Sequence, residues 1–174
     1  MHTMKKVIRN KYKKENGEWV VFAQWIIEFE PYPYTKENVK YLSEEIRKNL
    51  STKFLSSKYK EDNKSNPLFG HCYHSTQALT FFLDCDTIEP YSGKDSLGNT
   101  HWWLQDGSEI IDVTAAQYDI LLCDPPYEVG KPSKWYGWKH RPHKRSMELM
   151  KLVQPSASLY MTSPKDSHTI LTYP

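Results

Sequence analysis

The sequence predicts an α+β fold in which helices pack on an antiparallel sheet. Three observations carry this. A long run rich in Val, Ile, Phe and Trp (Glu18 to Glu30) has strand composition. Two segments with helical apolar spacing flank a polar stretch. A compact hairpin signal, His101 to Thr114, is centred on Asp106-Gly107.

Glu18 to Glu30 reads as one long strand, or as two with a bulge, and Pro31 and Pro33 stop it. Thr35 can cap a helix whose apolar stripe is Val39, Leu42, Ile46 and Leu50. Ser51 to Pro67 is polar and reads as a loop. His71 to Leu83 reads as a second helix, with Ala78, Leu79, Phe82 and Leu83 as its stripe. Pro90 to Asn99 carries Pro, Gly, Asp, Ser and Asn and reads as a loop. After the hairpin, Ala115 to Ile120 suits one helical turn. Asp124 to Trp138 is punctuated by Pro and Gly, and Pro142 suits the first turn of a last helix ending near Val153. The tail reads as extended. With 174 residues, no internal repeat and no composition break, one domain over 1–174 is expected.

Composition is that of an ordinary globular chain, 39% apolar and 25% charged. No apolar run reaches the roughly 18 residues of a membrane span, and the basic N-terminus lacks a signal-peptide core. Three cysteines without paired spacing point to reduced thiols and a cytoplasmic setting. Net charge is +2, but unevenly spread. Met1 to Lys14 has six cations and no acid, and Lys131 to Lys151 has seven cations against Glu148. Asp84 to Glu128 holds ten acids and only Lys94. Complementary charge within the chain explains this; a polyanionic partner is the functional alternative.

Cys72 follows Gly70 at the expected start of a helix. Free N–H groups and the helix dipole favour a thiolate there, and the Cys72 N–H is placed to stabilise an oxyanion. On its own, such a cysteine is more often a small buried hydrophobe. Cys85 lies between Asp84 and Asp86, a field that disfavours a thiolate, and Cys123 ends an apolar run that reads as packing.

The hairpin supplies the partners. With Asp106-Gly107 as a two-residue loop, Gln105 faces Ser108, Trp103 faces Ile110 and His101 faces Asp112. Opposed side chains share a face about 4.5–5.5 Å apart, so an imidazole and a carboxylate can bond across the gap. Trp103 shares the face of His101 and is expected to wall the cleft, while Trp102 packs into the body.

These residues resemble the transglutaminase-like and papain-like cysteine enzymes. Gly70-x-Cys72 opens a helix, His101-Trp102 opens a strand, and Asp112-Val113-Thr114 is similar to the D-x-T that closes the motif in transglutaminase-like domains. The likeness covers about Gly70 to Gln117, and the catalytic core is expected at about 66–118. It implies a papain-like/transglutaminase-like α+β fold with the nucleophile helix packed on an antiparallel sheet. It further implies a Cys72, His101, Asp112 triad acting on an amide, isopeptide or ester. Papain-like members place an amide side chain before the cysteine for the oxyanion; Asn66 is the candidate, although Gln is usual. The C-terminal YGWKHRPHKRSMELMKLV resembles small proteins of bacterial viruses, which implies action on a host target in the host cytoplasm.

His71, Tyr73, His74, Trp103, Trp135 and Trp138 are the expected cleft residues. His71, Cys72, His74 and His101 also suggest zinc, but lack the tight ligand pairs of tetrahedral sites, so no metal and no cofactor is expected. The basic aromatic segment 131–153, with rings and cations mixed over 134–145, is the alternative: a non-enzymatic nucleotide- or nucleic-acid-binding protein. The expected partners are a protein, peptide or small amide or ester substrate, an anionic or nucleotide-bearing ligand, and no membrane.

Overall fold

The computed structural model describes residues 3–135 and 142–163. Its chain begins with a long antiparallel hairpin, β1 (Lys5–Glu15) and β2 (Glu18–Phe29), closed by Asn16-Gly17. Both turn residues have positive φ, the signature of a type I′ turn. The basic N-terminus, legible in the sequence only as a charge run, is therefore an edge strand; its lysines discourage further pairing at that edge. Lys11 pairs with Ala23 and Tyr12 with Val21, so Phe22 is the extra residue of a bulge in β2.

A short β3 (Tyr32–Pro33) leads into α1 (Lys36–Lys48). Thr35 caps it as expected, its hydroxyl accepting from Asn38 N at 3.1 Å. The polar 51–67 stretch is not a plain loop. It winds through two 3-10 turns and α2 (Lys60–Asn63), and buries Phe54 and Leu55. α3 (Cys72–Phe82) follows, then β4 (Leu83–Asp84), which pairs in parallel with β3.

β5 (Glu89–Lys94) occupies a segment expected to be a loop. Pairing overrides its turn-forming composition. Pro90 to Lys94 pair with β6 (Thr100–Asp106) on one side, while Tyr91 and Ser92 pair with β8 (Lys131–Pro132) on the other. β7 (Glu109–Ile111) completes a four-stranded antiparallel sheet of order β7-β6-β5-β8. Between β7 and β8 lies α4 (Gln117–Leu121). α5 (Lys144–Val153) starts two residues later than Pro142 suggests, because His143 is the cap: its Nδ1 accepts from Arg145 N at 3.1 Å. β9 (Ser158–Thr162) returns to pair with β2.

The β6-β7 hairpin corrects the expected register. Leu104 pairs with Ile111, Gln105 with Ile110 and Asp106 with Glu109, two residues off the expected alignment. The loop is Gly107-Ser108, with positive φ at the glycine alone, as in a type II′ turn. This register sets buried Leu104 beside buried Ile111, and Asp106 is held by Tyr34 Oη at 3.1 Å.

One apolar cluster joins Ile27 and Phe29 of β2, Leu42 and Ile46 of α1, Leu79 and Phe82 of α3, Leu104 of β6 and Met147 and Met150 of α5. α3 packs on α1, α5 and β6, so its first residue is fixed relative to the sheet.

Gly70 sets the entry to α3. Its φ is +87°, and an added Cβ would lie 2.8 Å from Tyr59 Cβ and 2.9 Å from Leu55 Cδ2. Gly70→Ala therefore combines backbone strain with overpacking and should lower unfolding stability by about 2–4 kcal/mol. Gly107 also has positive φ, but an added Cβ there meets nothing within 4 Å, so Gly107→Ala should cost about 1–2 kcal/mol. Urea denaturation of the two variants checks the ranking; equal losses would contradict it.

Candidate active site

Cys72 is the first residue of α3, reached through the turn at Gly70 and the capping position His71. Its N–H has no acceptor within the helix, as for any first-turn residue. The sulfur lies 3.8 Å from Thr100 O, against the start of β6, and the residue is 8% exposed. All three cysteines are free; Cys85 and Cys123 are half-buried, away from this wall, so Cys123 is less enclosed than its apolar run suggests.

The next residue of β6, His101, donates from Nε2 to Asp112 Oδ2 at 2.6 Å, and both side chains are almost fully enclosed. The shift of two residues in the hairpin leaves Asp112 on the same face, because side chains alternate with period two. Asp112 lies just beyond β7 and reaches His101 diagonally. Its carboxylate also accepts from Tyr127 Oη at 2.6 Å and from Thr114 N at 3.1 Å. Three donors compensate for burying the negative charge.

With Nε2 bound to Asp112, Nδ1 is the nitrogen left for a thiol. Gln117 Nε2 comes within 3.4 Å of it, but already donates to Thr114 O and Thr114 Oγ1 at 3.1 and 2.9 Å. Burial opposes charge on His101. The hydrogen bond that His101 donates to Asp112, and then the nearby Cys72 sulfur, outweigh it and hold the imidazole up at about 9, above the ordinary 6.5. The ring stacks on Trp103 at 5.8 Å and receives Tyr118 edge-on at 5.0 Å. Tyr118 in turn donates to Asp95 at 2.9 Å, and Asp95 ties the turn before β6 through Leu97 N and Asn99 N.

A cavity of about 520 Å³ opens at Cys72. Tyr73 and His74 line it, as the sequence suggests. The tryptophans exchange their expected roles: Trp102 lines the cavity, and Trp103 is fully buried behind His101. The face of β6 that carries His101 turns to Asp112, Tyr118 and Tyr127, and Cys72 packs beside Trp102 and meets the strand at Thr100, the residue before His101. Trp135 does not line this cavity; it is buried and stacks on Trp102 at 5.2 Å. Trp138 lies outside the described residues, as do Tyr136, Lys139, His140 and Arg141 of the basic aromatic segment. Of its described members, Lys144 lies over the Trp25 ring and Arg145 faces the cavity.

His71 is buried rather than on the cleft, with Nδ1 unbonded, and burial lowers its pKa to about 4. Asn66 is also misplaced for an oxyanion role. It is buried off the cavity wall, and its amide donates to Gln117 O at 3.0 Å, tying the approach to α3 onto α4. Among the described residues no three His, Cys, Asp or Glu side chains are placed together to hold a metal. Also among them, no helix is long and apolar enough to cross a membrane. The residues missed from sequence, Gln117, Tyr118 and Tyr127, act on His101 or Asp112 from outside the hairpin. Only Gln117 had a local signal, three residues after the Thr of Asp112-Val113-Thr114.

Comparison with known proteins finds no matching family model, curated protein or solved structure.

The raised pKa of His101 has consequences that titration reads. His101 should titrate near pH 9 by NMR, and Asp112→Asn should move its midpoint down; a wild-type midpoint at or below 6.5 would exclude the charged pair. Because the folded value is raised, its stabilisation is complete below about pH 6.5 and is lost as pH rises through about 9. The stability gap between wild type and His101→Gln should therefore narrow between about pH 6 and pH 9.5 in chemical denaturation.

Proposed function

We propose that this protein is a cysteine-nucleophile hydrolase or acyl transferase acting on an amide, isopeptide or ester carbonyl, with a papain-like or transglutaminase-like arrangement of its α+β fold. One observation carries this reading. His101, 2.6 Å from Asp112, directly follows Thr100, whose carbonyl oxygen lies 3.8 Å from the sulfur of Cys72, the first residue of a helix.

His101 Nδ1 takes the Cys72 proton, and the thiolate attacks the carbonyl carbon. A C–S bond forms and the oxyanion is received by the Cys72 N–H. On collapse, the bond to the leaving group breaks; that group departs with the electron pair and the proton from His101. Water or an acceptor amine then attacks the thioester, giving its proton to Nδ1, and breaking the C–S bond restores the thiol. Asp112 holds the imidazole in orientation throughout, and Tyr127 and Thr114 hold Asp112. Burial off the cavity leaves Asn66 without a part in this scheme.

The thiol itself gives the test. At neutral pH iodoacetamide should alkylate Cys72 faster than Cys85 or Cys123, although it is the most buried of the three. His101→Ala should remove that advantage by roughly 10²-fold or more, and Asp112→Asn by a smaller factor. Peptide mass mapping of a time course reads each site separately. Equal reactivity at all three cysteines would overturn the proposal.

A further inference from the structure

We infer that the cavity at Cys72 selects a small acyl substrate bearing an anionic group, a carboxylate or a phosphate, on a planar apolar body. The inference rests on the cysteine chemistry proposed above and names its substrate class.

A cavity of about 520 Å³ suits a small molecule or one large side chain. Among the described residues, the formally charged side chains of its wall are Lys58 and Arg145, and no Asp or Glu lines it. That is notable beside an acid-rich segment. Asp95 is bound to Tyr118 and Asp112 stands behind His101, so the acids nearest the site are directed away from the cavity. Neither cation is paired with a carboxylate among the described residues. Arg145 donates to Phe54 O at a long 3.4 Å, and Lys58 lies over the Tyr59 ring. The guanidinium fork is thus left with donors for a bidentate anion.

The wall also carries His74 and His143, rings 4.9 Å apart and both neutral at ordinary pH. Burial is the main cause, and Arg145 adds to it at both, so an anion seated beside Arg145 also relieves this positive field. Tyr59, Phe69 and Trp102 supply flat apolar surface to the same cavity.

Nitrophenyl esters test the inference on the full chain. In the reaction the Cys72 sulfur bonds to the acyl carbon, the C–O bond breaks, nitrophenolate leaves with its electron pair, and water cleaves the thioester. The glutarate monoester, with a free carboxylate, should show kcat/KM at least roughly tenfold above that of the neutral acetate ester. Lys58→Gln, at an exposed position, and Arg145→Gln should each lower that ratio several-fold. Phenyl phosphate and benzoate, titrated calorimetrically into Cys72→Ala protein, report the anion site without chemistry and separate phosphate from carboxylate; Arg145→Gln in that background should abolish the heat. Reaction of both esters at Cys72 with a ratio near one, and no binding of either probe, would overturn the anionic class and leave the cysteine chemistry standing. Arginine-dependent probe binding with neither ester consumed would do the reverse. No binding and no reaction would remove both.

Discussion

The constraint on which the site depends is a negative charge kept almost out of water. Asp112 is enclosed, and an enclosed carboxylate persists only when its lone pairs are satisfied and a positive partner is near. The chain meets that demand from three directions. His101 comes from β6, Thr114 N from the turn that follows Asp112, and Tyr127 from the segment before β8. These donors lock the hairpin, the α4 turn and the 124–130 loop around one oxygen pair. His101 thereby gains a fixed ring orientation, and Trp103 and Tyr118 close it from two sides.

Cys72 is brought to this pair by rigid elements rather than by a loop. α3 carries Leu79 and Phe82 into the main core, and Thr76 Oγ1 donates to Trp102 O at 3.3 Å, pinning the helix to β6. At its start Gly70 turns the chain in a space that admits no Cβ. In the proposed mechanism, a nucleophile held at the end of an anchored helix, against a base held in an anchored strand, has little freedom to lose on the way to a transition state.

Much of this could be read from residues alone, for definite reasons. The Thr35 cap, the α1 stripe, the α3 helix and the pairing of His101 with Asp112 all rest on local chemistry or on a short repeat. What failed rests on tertiary partners. β5 hides behind Pro90 and Gly93 because its order comes from pairing with β6 and β8. β1 hides behind its lysines because an edge strand can be charged. Asn66 looked like an oxyanion donor by position, but its amide is bound to Gln117 O, a contact fifty-one residues away. Trp102 and Trp103 lie on the sides opposite to expectation because alternation says which residues share a face, not which face meets the helix.

The hairpin makes a sharper point about what a sequence encodes. Its loop sits one residue later than Asp106-Gly107 implies, which moves every cross-strand pair by two. A displacement of one would have sent Asp112 to the face opposite His101 and left an unpaired carboxylate on the apolar side of the sheet. A displacement of two keeps the face and lengthens the reach, which a carboxylate and an imidazole can span. Gly-Ser and Asp-Gly loops are both acceptable turns, so turn chemistry alone did not choose between them. The choice is consistent with burial: the observed register puts Leu104 against Ile111 and leaves Glu109 exposed beside the turn. The alternation of faces is thus the more strongly specified property, and the His-Asp pair survives the change of register because it depends on that alternation.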